Sequence, residues 1–504
     1  MTFSDAFLVD SVVSAFGALA QLPDRRLEAR LRTTARMVVE RLESPTSSAP
    51  RAERVGARRF WNNDRIDPDA LTAAMLDAQA ALLDGPTRLI LVHDTCEIDR
   101  TGRGEPDDAG PLRSNHARGY LMHWALAVDP ASREPLAALA CDVWTRPWKD
   151  PATPAKRNPD PEQRESAKWR RGIRHVLATL ARGKVQAELT HVVDREGDTH
   201  ENLEFAQQRR LRLVARNQQD RAIEHPQQTL WALLDSASVA GTGTRTRRVS
   251  NHPRETARKA ARAQGRAELK AFDARVRALG TTRDAVLELV WSAVKLTPDS
   301  HKKKRRKPVT VWAVQVKETA TPPELEPVHW RLLTTIAVQD EASACARVDE
   351  YLARWPIEPM HHVLKTGLHL EQDALDSVAA EKRHLAVLLP IALHLVRWSQ
   401  QWQADPFQAA SEQVPAEVID ALKGASRYHE LPLPRRRWTL QDVVLRLAEL
   451  GGYERRPDRS PGWLVLWRGW RELQRFVDLV QFVKTSKLRE VAPTARAKLR
   501  WKKP

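Results

Sequence analysis

The segment Tyr351–Lys365 carries side chains suited to phosphate and cation chemistry, in the pattern Tyr-x2-Arg-x3-Glu-x6-Lys. In an unbroken helix, Tyr351, Arg354, Glu358 and Lys365 would fall within about 60° of one another and share a face. The guanidinium and ammonium groups suit phosphate oxygens, and the carboxylate suits a hard metal ion. Pro356 works against a single straight helix, because it disfavours helical geometry at Trp355 and cannot donate to the preceding turn. The expectation is a kink, or a new helix from Pro356 with Glu358 in its first turn and an unbroken run on to Lys365.

One carboxylate does not complete such a site, so the elements that would supply others matter. Arg88-Leu-Ile-Leu-Val-His-Asp94 and Leu189-Thr-His-Val-Val-Asp194 are short apolar runs ending in an aspartate, the pattern of buried central strands. Between them lie strand-like runs at Tyr120–Val128 and Pro135–Trp144, joined by a turn at Asp129–Glu134, and a helix near Glu165–Leu180. A helix at Thr199–Gln208 and a strand at Arg210–Ala215 follow. Strand, strand, strand, helix, strand, helix, strand is the order of an RNase H-like core, an α/β fold. Open α/β sheets hold ligands beyond the carboxyl ends of their central strands, where Asp94 and Asp194 are expected.

Together these residues resemble bacterial insertion-sequence DDE transposases of insertion-sequence family four, in the Tn-five-like branch. The resemblance rests on Tyr351, Arg354, Glu358 and Lys365, on Asp94 in His-Asp-Thr, and on Asp194 in Asp-Arg-Glu-Gly-Asp. Cys96 stands where many relatives carry a second threonine. The segment Pro461-Gly-Trp-Leu-Val-Leu-Trp-Arg-Gly-Trp-Arg-Glu-Leu-Gln-Arg-Phe476 resembles the C-terminal region of the same family.

The resemblance implies that Asp94, Asp194 and Glu358 are catalytic and hold two Mg²⁺ ions, with Mn²⁺ able to substitute. Hard cations take oxygen ligands, and two of them can activate a nucleophile and stabilise a leaving oxygen. Tyr351, Arg354 and Lys365 would hold DNA phosphates. Trp330 would stack on a base flipped from the duplex, Trp355 is a second stacking candidate, and Arg216 could reach phosphate. The reaction implied is cut-and-paste transposition: cleavage of element ends, a hairpin intermediate, and joining of a 3′ hydroxyl to target DNA. Partners would be double-stranded DNA (terminal inverted repeats and target) and a second copy of the chain. The alternatives are a metal-dependent nuclease on the same core that never joins ends, and a catalytically silent DNA-binding relative.

The rest of the chain fits around this core. A length of 504 residues suggests several domains. The expected divisions are a helical DNA-end-binding domain over 1–65 and the first part of the core over 66–217. An inserted β-rich subdomain would cover 218–338, the last core helix with the Glu motif 339–375, and a helical domain with possible dimerisation and a basic tail 376–504. Lys plus Arg is 81 against 64 Asp plus Glu, a net charge of +17, which favours a polyanionic partner. The basic run His301–Lys307 reads as a solvated loop, with DNA tracking as the less expected role. Cys96, Cys141 and Cys345 are far apart and show no paired zinc spacing, which argues for a reducing compartment. The N-terminal stretch has acids where a signal peptide needs basic residues, and no apolar run is long enough to span a bilayer. The chain is therefore expected in the cytoplasm, at the nucleoid.

Overall fold

A computed structural model of the chain describes residues 22–41, 51–83, 85, 87–102, 106–113, 116–148, 160–236, 238–298, 306–373, 375–412, 414–455 and 461–485. The expected linker Ser44–Pro50, most of the basic run His301–Lys307 and the tail beyond residue 485 lie outside the described residues. Contacts divide the chain into two units: one of residues 76–99 and 109–359, the other of 1–75, 100–108 and 360–504.

Among the described residues the first helices are α1 (Arg25–Arg41) and α2 (Arg51–Trp61), and α3 (Pro68–Ala80) leads towards the first strand. Asp24 caps α1 as its sequence suggests, its Oδ1 accepting from the amides of Arg26 and Leu27 at 3.0 Å each.

The first unit is built on one mixed sheet. Its strands are β1 (Arg88–Asp99), β2 (Gly110–Pro111), β3 (Arg118–Val128), β4 (Pro135–Trp144), β5 (Glu188–Val193) and β6 (Arg212–Arg216). Four more follow: β7 (Gly241–Ser250), β8 (Thr282–Leu296), β9 (Val309–Glu318) and β10 (His329–Thr334). The strand order is β3-β1-β5-β6-β10-β9-β8-β7, with β2 and β4 both paired to β3. β1 is antiparallel to β3 and parallel to β5, and β5 is parallel to β6. The two parallel steps are made through α4 (Lys168–Arg182) and α5 (His200–Gln208), the crossovers that parallel strands need. The hairpin turn between β3 and β4 forms where its residues place it: Asp129 accepts from the amides of Ala131 and Ser132, and its own amide donates to the Glu134 carbonyl at 2.9 Å.

Apolar side chains of β1, β3 and β4 meet Val176 and Leu180 of α4 in one core cluster. A second cluster joins Val193, Leu203, Leu213, Val311 and Leu333.

Two sequence expectations need correction here. β1 does not end at Asp94 but runs on to Asp99, because β3 continues to pair with it as far as Gly119. The strands expected over 218–338 are present, but they extend the core sheet, since β10 pairs with β6 from Leu332↔Arg216 to Thr334↔Val214. The stretch Glu255–Ala278 forms two helices, α7 (Glu255–Gln264) and α8 (Arg266–Ala278), around Gly265, whose φ of 121° only glycine adopts readily. A short helix, α6 (Leu230–Leu234), precedes β7.

After β10 come α9 (Glu341–Leu352) and α10 (Ile357–His362). The second unit continues with α11 (Val378–Ala404), α12 (Ala416–Tyr428), α13 (Leu440–Leu450) and α14 (Trp463–Thr485). Its interior holds Arg383, which donates to the carbonyls of Trp61 and Ile66 at 2.8 Å each. A buried pair of Arg100 with Glu381 and a His384–Asp373 contact of 2.9 Å lie in the same unit. Among the described residues, no helix is long and apolar enough to cross a membrane.

Candidate active site

Asp94 and Asp194 follow the parallel pairing of β1 with β5, which runs from Arg88↔Glu188 to Val92↔Val192 and ends two residues short of both. Adjacent strands are about 4.8 Å apart, and the charge of Asp94 acts directly on Asp194. Each is fixed by backbone amides. Asp94 Oδ1 accepts from Thr95 N at 2.7 Å. Asp194 caps the turn Arg195–Gly197, accepting from Glu196 N at 2.8 Å and Gly197 N at 3.4 Å.

Burial pushes both carboxyls up to about 6. At Asp94, Glu196 and Glu358 add repulsion, while the Thr95 amide and Arg354 oppose the rise. At Asp194, Asp94 and Glu196 add to the burial effect. Two half-buried acids that repel each other need positive charge to ionise together.

The Tyr351–Lys365 motif does not lie on one helix. α9 ends at Leu352, Arg354 sits in the following turn, and α10 starts at Ile357, just after Pro356, with Glu358 in its first turn. Pro356 breaks the helix as its chemistry requires. Lys365 falls in a π-type turn, Val363–Gly367, in the second unit, where it pairs with Glu371 at 2.9 Å. The shared face expected for the four residues is therefore absent. Arg354 links the motif to β1: its Nη2 donates to Glu358 Oε1 at 2.7 Å and its Nη1 lies 3.6 Å from Asp94 Oδ2. Burial works against the Arg354 cation, but Tyr351, Asp94 and Glu358 hold its pKa above the usual arginine value.

No protein-family model matches the chain.

Tyr351 is buried and forms part of an aromatic and cationic cluster. Arg216 Nη1 donates to its hydroxyl at 3.4 Å with the guanidinium 5.8 Å from the ring centre, and Trp330 lies 6.3 Å away, centre to centre. Trp330 and the exposed Trp355 border a cavity of about 570 Å³. Arg133, Arg195, Arg216 and Arg247 also line it.

Three carboxylates, two of them half-buried with raised pKa, are the oxygen ligands that hard divalent cations take. Among the described residues no group of three His, Cys, Asp or Glu side chains could hold a metal ion, and Glu358 is engaged by Arg354.

Sequence reasoning missed three neighbours. Glu196 pairs with Arg113 and, at 3.0 Å, with Lys168, and it adds negative charge beside both aspartates. Its place two residues after Asp194 was the available signal. Beneath the carboxylates, His93, His123 and His191 form a buried row, with His93 Nε2 2.9 Å from His191 Nδ1. Burial pushes all three well below the usual imidazole value, His191 to about 3. The third is Asp349, which gathers arginines from other elements. Cys96, Cys141 and Cys345 are not joined in disulfides.

Proposed function

We propose that the chain is a cut-and-paste DNA transposase with an RNase H-like core, of the Tn-five-like branch of insertion-sequence family four. The observation that carries this reading is that Asp94 and Asp194 follow two parallel paired strands and act on each other electrostatically, while Arg354 links Asp94 to Glu358. The succession β1, β3, β4, α4, β5, α5, β6, with β1 central, supports the core assignment.

Asp94, Asp194 and Glu358 would hold the Mg²⁺ ions. Such ions activate an oxygen nucleophile and stabilise the leaving oxygen of a phosphodiester. The chain's own groups do the positioning. Arg354 and Tyr351 present a cation and a hydroxyl beside the acids, suited to orienting a phosphate in line with its attacker. Arg216 and the Trp330 ring would take a phosphate and an unpaired base next to the cut. The net charge of +17 favours a DNA partner over a neutral substrate. The dimeric assembly with paired element ends and the nucleoid location belong to the same proposal.

The test incubates full-length protein with Mg²⁺, duplexes carrying the repeats that border its gene, and a supercoiled target plasmid. Joined product is expected. Cleavage without joining would favour a nuclease on the same core, and neither activity would favour a silent DNA binder.

A further inference from the structure

Asp349 stands two residues before Tyr351, on α9, and holds three arginines from two other elements. Its Oδ1 is 2.6 Å from Arg247 Nη1 and 3.5 Å from Arg133 Nη2, and its Oδ2 is 2.9 Å from Arg245 Nη1. Arg245 and Arg247 come from β7, which forms the sheet's far edge, and Arg133 comes from the β3–β4 turn. Arg133 and Arg247 both line the cavity beside Trp330 and Trp355. One carboxylate cannot neutralise three guanidinium groups, so the cluster keeps excess positive charge. Burial works to raise the Asp349 pKa, but Arg245 and Arg247 hold it below the usual carboxylate value.

Arginines left alone spread apart by repulsion and lose rotamer entropy only on binding. A shared carboxylate draws them to one point before any ligand arrives. We propose that Asp349 is a positioning residue that pre-assembles Arg133, Arg245 and Arg247 into a phosphate-binding subsite for the DNA backbone at the rim of this cavity. The inference rests on the nucleic-acid reading above. It gives Asp349 a counter-intuitive role: an acid that strengthens binding of a polyanion.

That sign makes the test sharp. Binding of a fluorescein-labelled mixed-sequence DNA duplex to full-length protein is measured by anisotropy across a salt series, for wild type, Asp349→Asn, Asp349→Glu and Arg247→Gln, with thermal melting of each. Simple charge counting says Asp349→Asn should bind more tightly, because it adds a unit of net positive charge. Pre-assembly says the reverse: affinity falls about tenfold and the slope of log K against log salt becomes shallower by about one contact or more, while Asp349→Glu recovers part of both. Arg247→Gln should lose about one unit of slope whether or not the Asp349 variants fold. Equal or tighter binding by folded Asp349→Asn, or an unchanged slope in Arg247→Gln, would overturn the proposal while leaving the DNA reading intact. Absence of duplex binding by the wild type itself would remove both.

Discussion

Arg354 Nη1 lies 3.6 Å from Asp94 Oδ2, and the same guanidinium donates to Glu358 at 2.7 Å. One cation of the chain therefore stands between two of the acids proposed to share divalent ions. Arg354→Ala should leave these carboxylates facing each other with less compensation, and metal-free stability should fall by about 1–3 kcal/mol. Mg²⁺ should restore more of the melting temperature in the variant than it adds to the wild type. Equal Mg²⁺ increments in the two proteins would show that Arg354 and the ions do not share the same acids.

The raised aspartates make a pH prediction with a definite sign. An ordinary aspartate titrates at 3.8, whereas Asp94 and Asp194 are pushed up to about 6 in the fold. Between those values the folded state holds protons that the unfolded state has released. Stability contributed by the neutral carboxyls is present below about pH 4 and is lost as pH rises through about 6. Its size is up to about 3 kcal/mol for either group alone. Melting in EDTA from pH 4 to 7 should show this loss in the wild type and a flatter profile in Asp94→Asn and Asp194→Asn. Parallel profiles would contradict the burial argument.

Trp330→Ala tests the aromatic cluster. Stacking of a base on an aromatic ring contributes about 1–3 kcal/mol. A 2-aminopurine placed near the end of a substrate duplex should report unstacking in the wild type and much less in the variant, with duplex affinity weaker by about fivefold or more. Identical fluorescence in both would assign Trp330 to packing against Tyr351.

Gly172, on α4, faces the histidine row. A Cβ there would overlap His123 and come within 3.2 Å of His93 Nδ1. The rings are buried and cannot swing into solvent. Gly172→Ala should destabilise the protein by about 1–3 kcal/mol in urea unfolding, as overpacking does. A neutral effect would mean that the row repacks freely.

The apolar runs that became β1 and β5 and the Asp129–Glu134 turn were readable in the sequence, because hydrophobic pattern and turn chemistry act locally. The end of β1 was not, since its last residues are held by pairing with β3 rather than by their own character. β7 escaped because its half-buried face carries Gly243, Arg245 and Arg247 in place of apolar residues. The likeness of the two runs that end at Asp94 and Asp194 was legible, and only the pairing of β1 with β5 made them neighbours. Glu358 could be named from its motif, but its bond to Arg354 depended on where Pro356 broke the helix. Asp349 gave no signal in sequence, since its partners come from distant elements.

The most direct measurement is anomalous diffraction from crystals of the full-length protein soaked in Mn²⁺. The result expected is manganese density in contact with Asp94, Asp194 and Glu358, lost in Asp194→Asn. Manganese bound elsewhere, or a Glu358 carboxylate remaining on Arg354 while the aspartates stay metal-free, would contradict the shared-cation site on which the transposase reading depends.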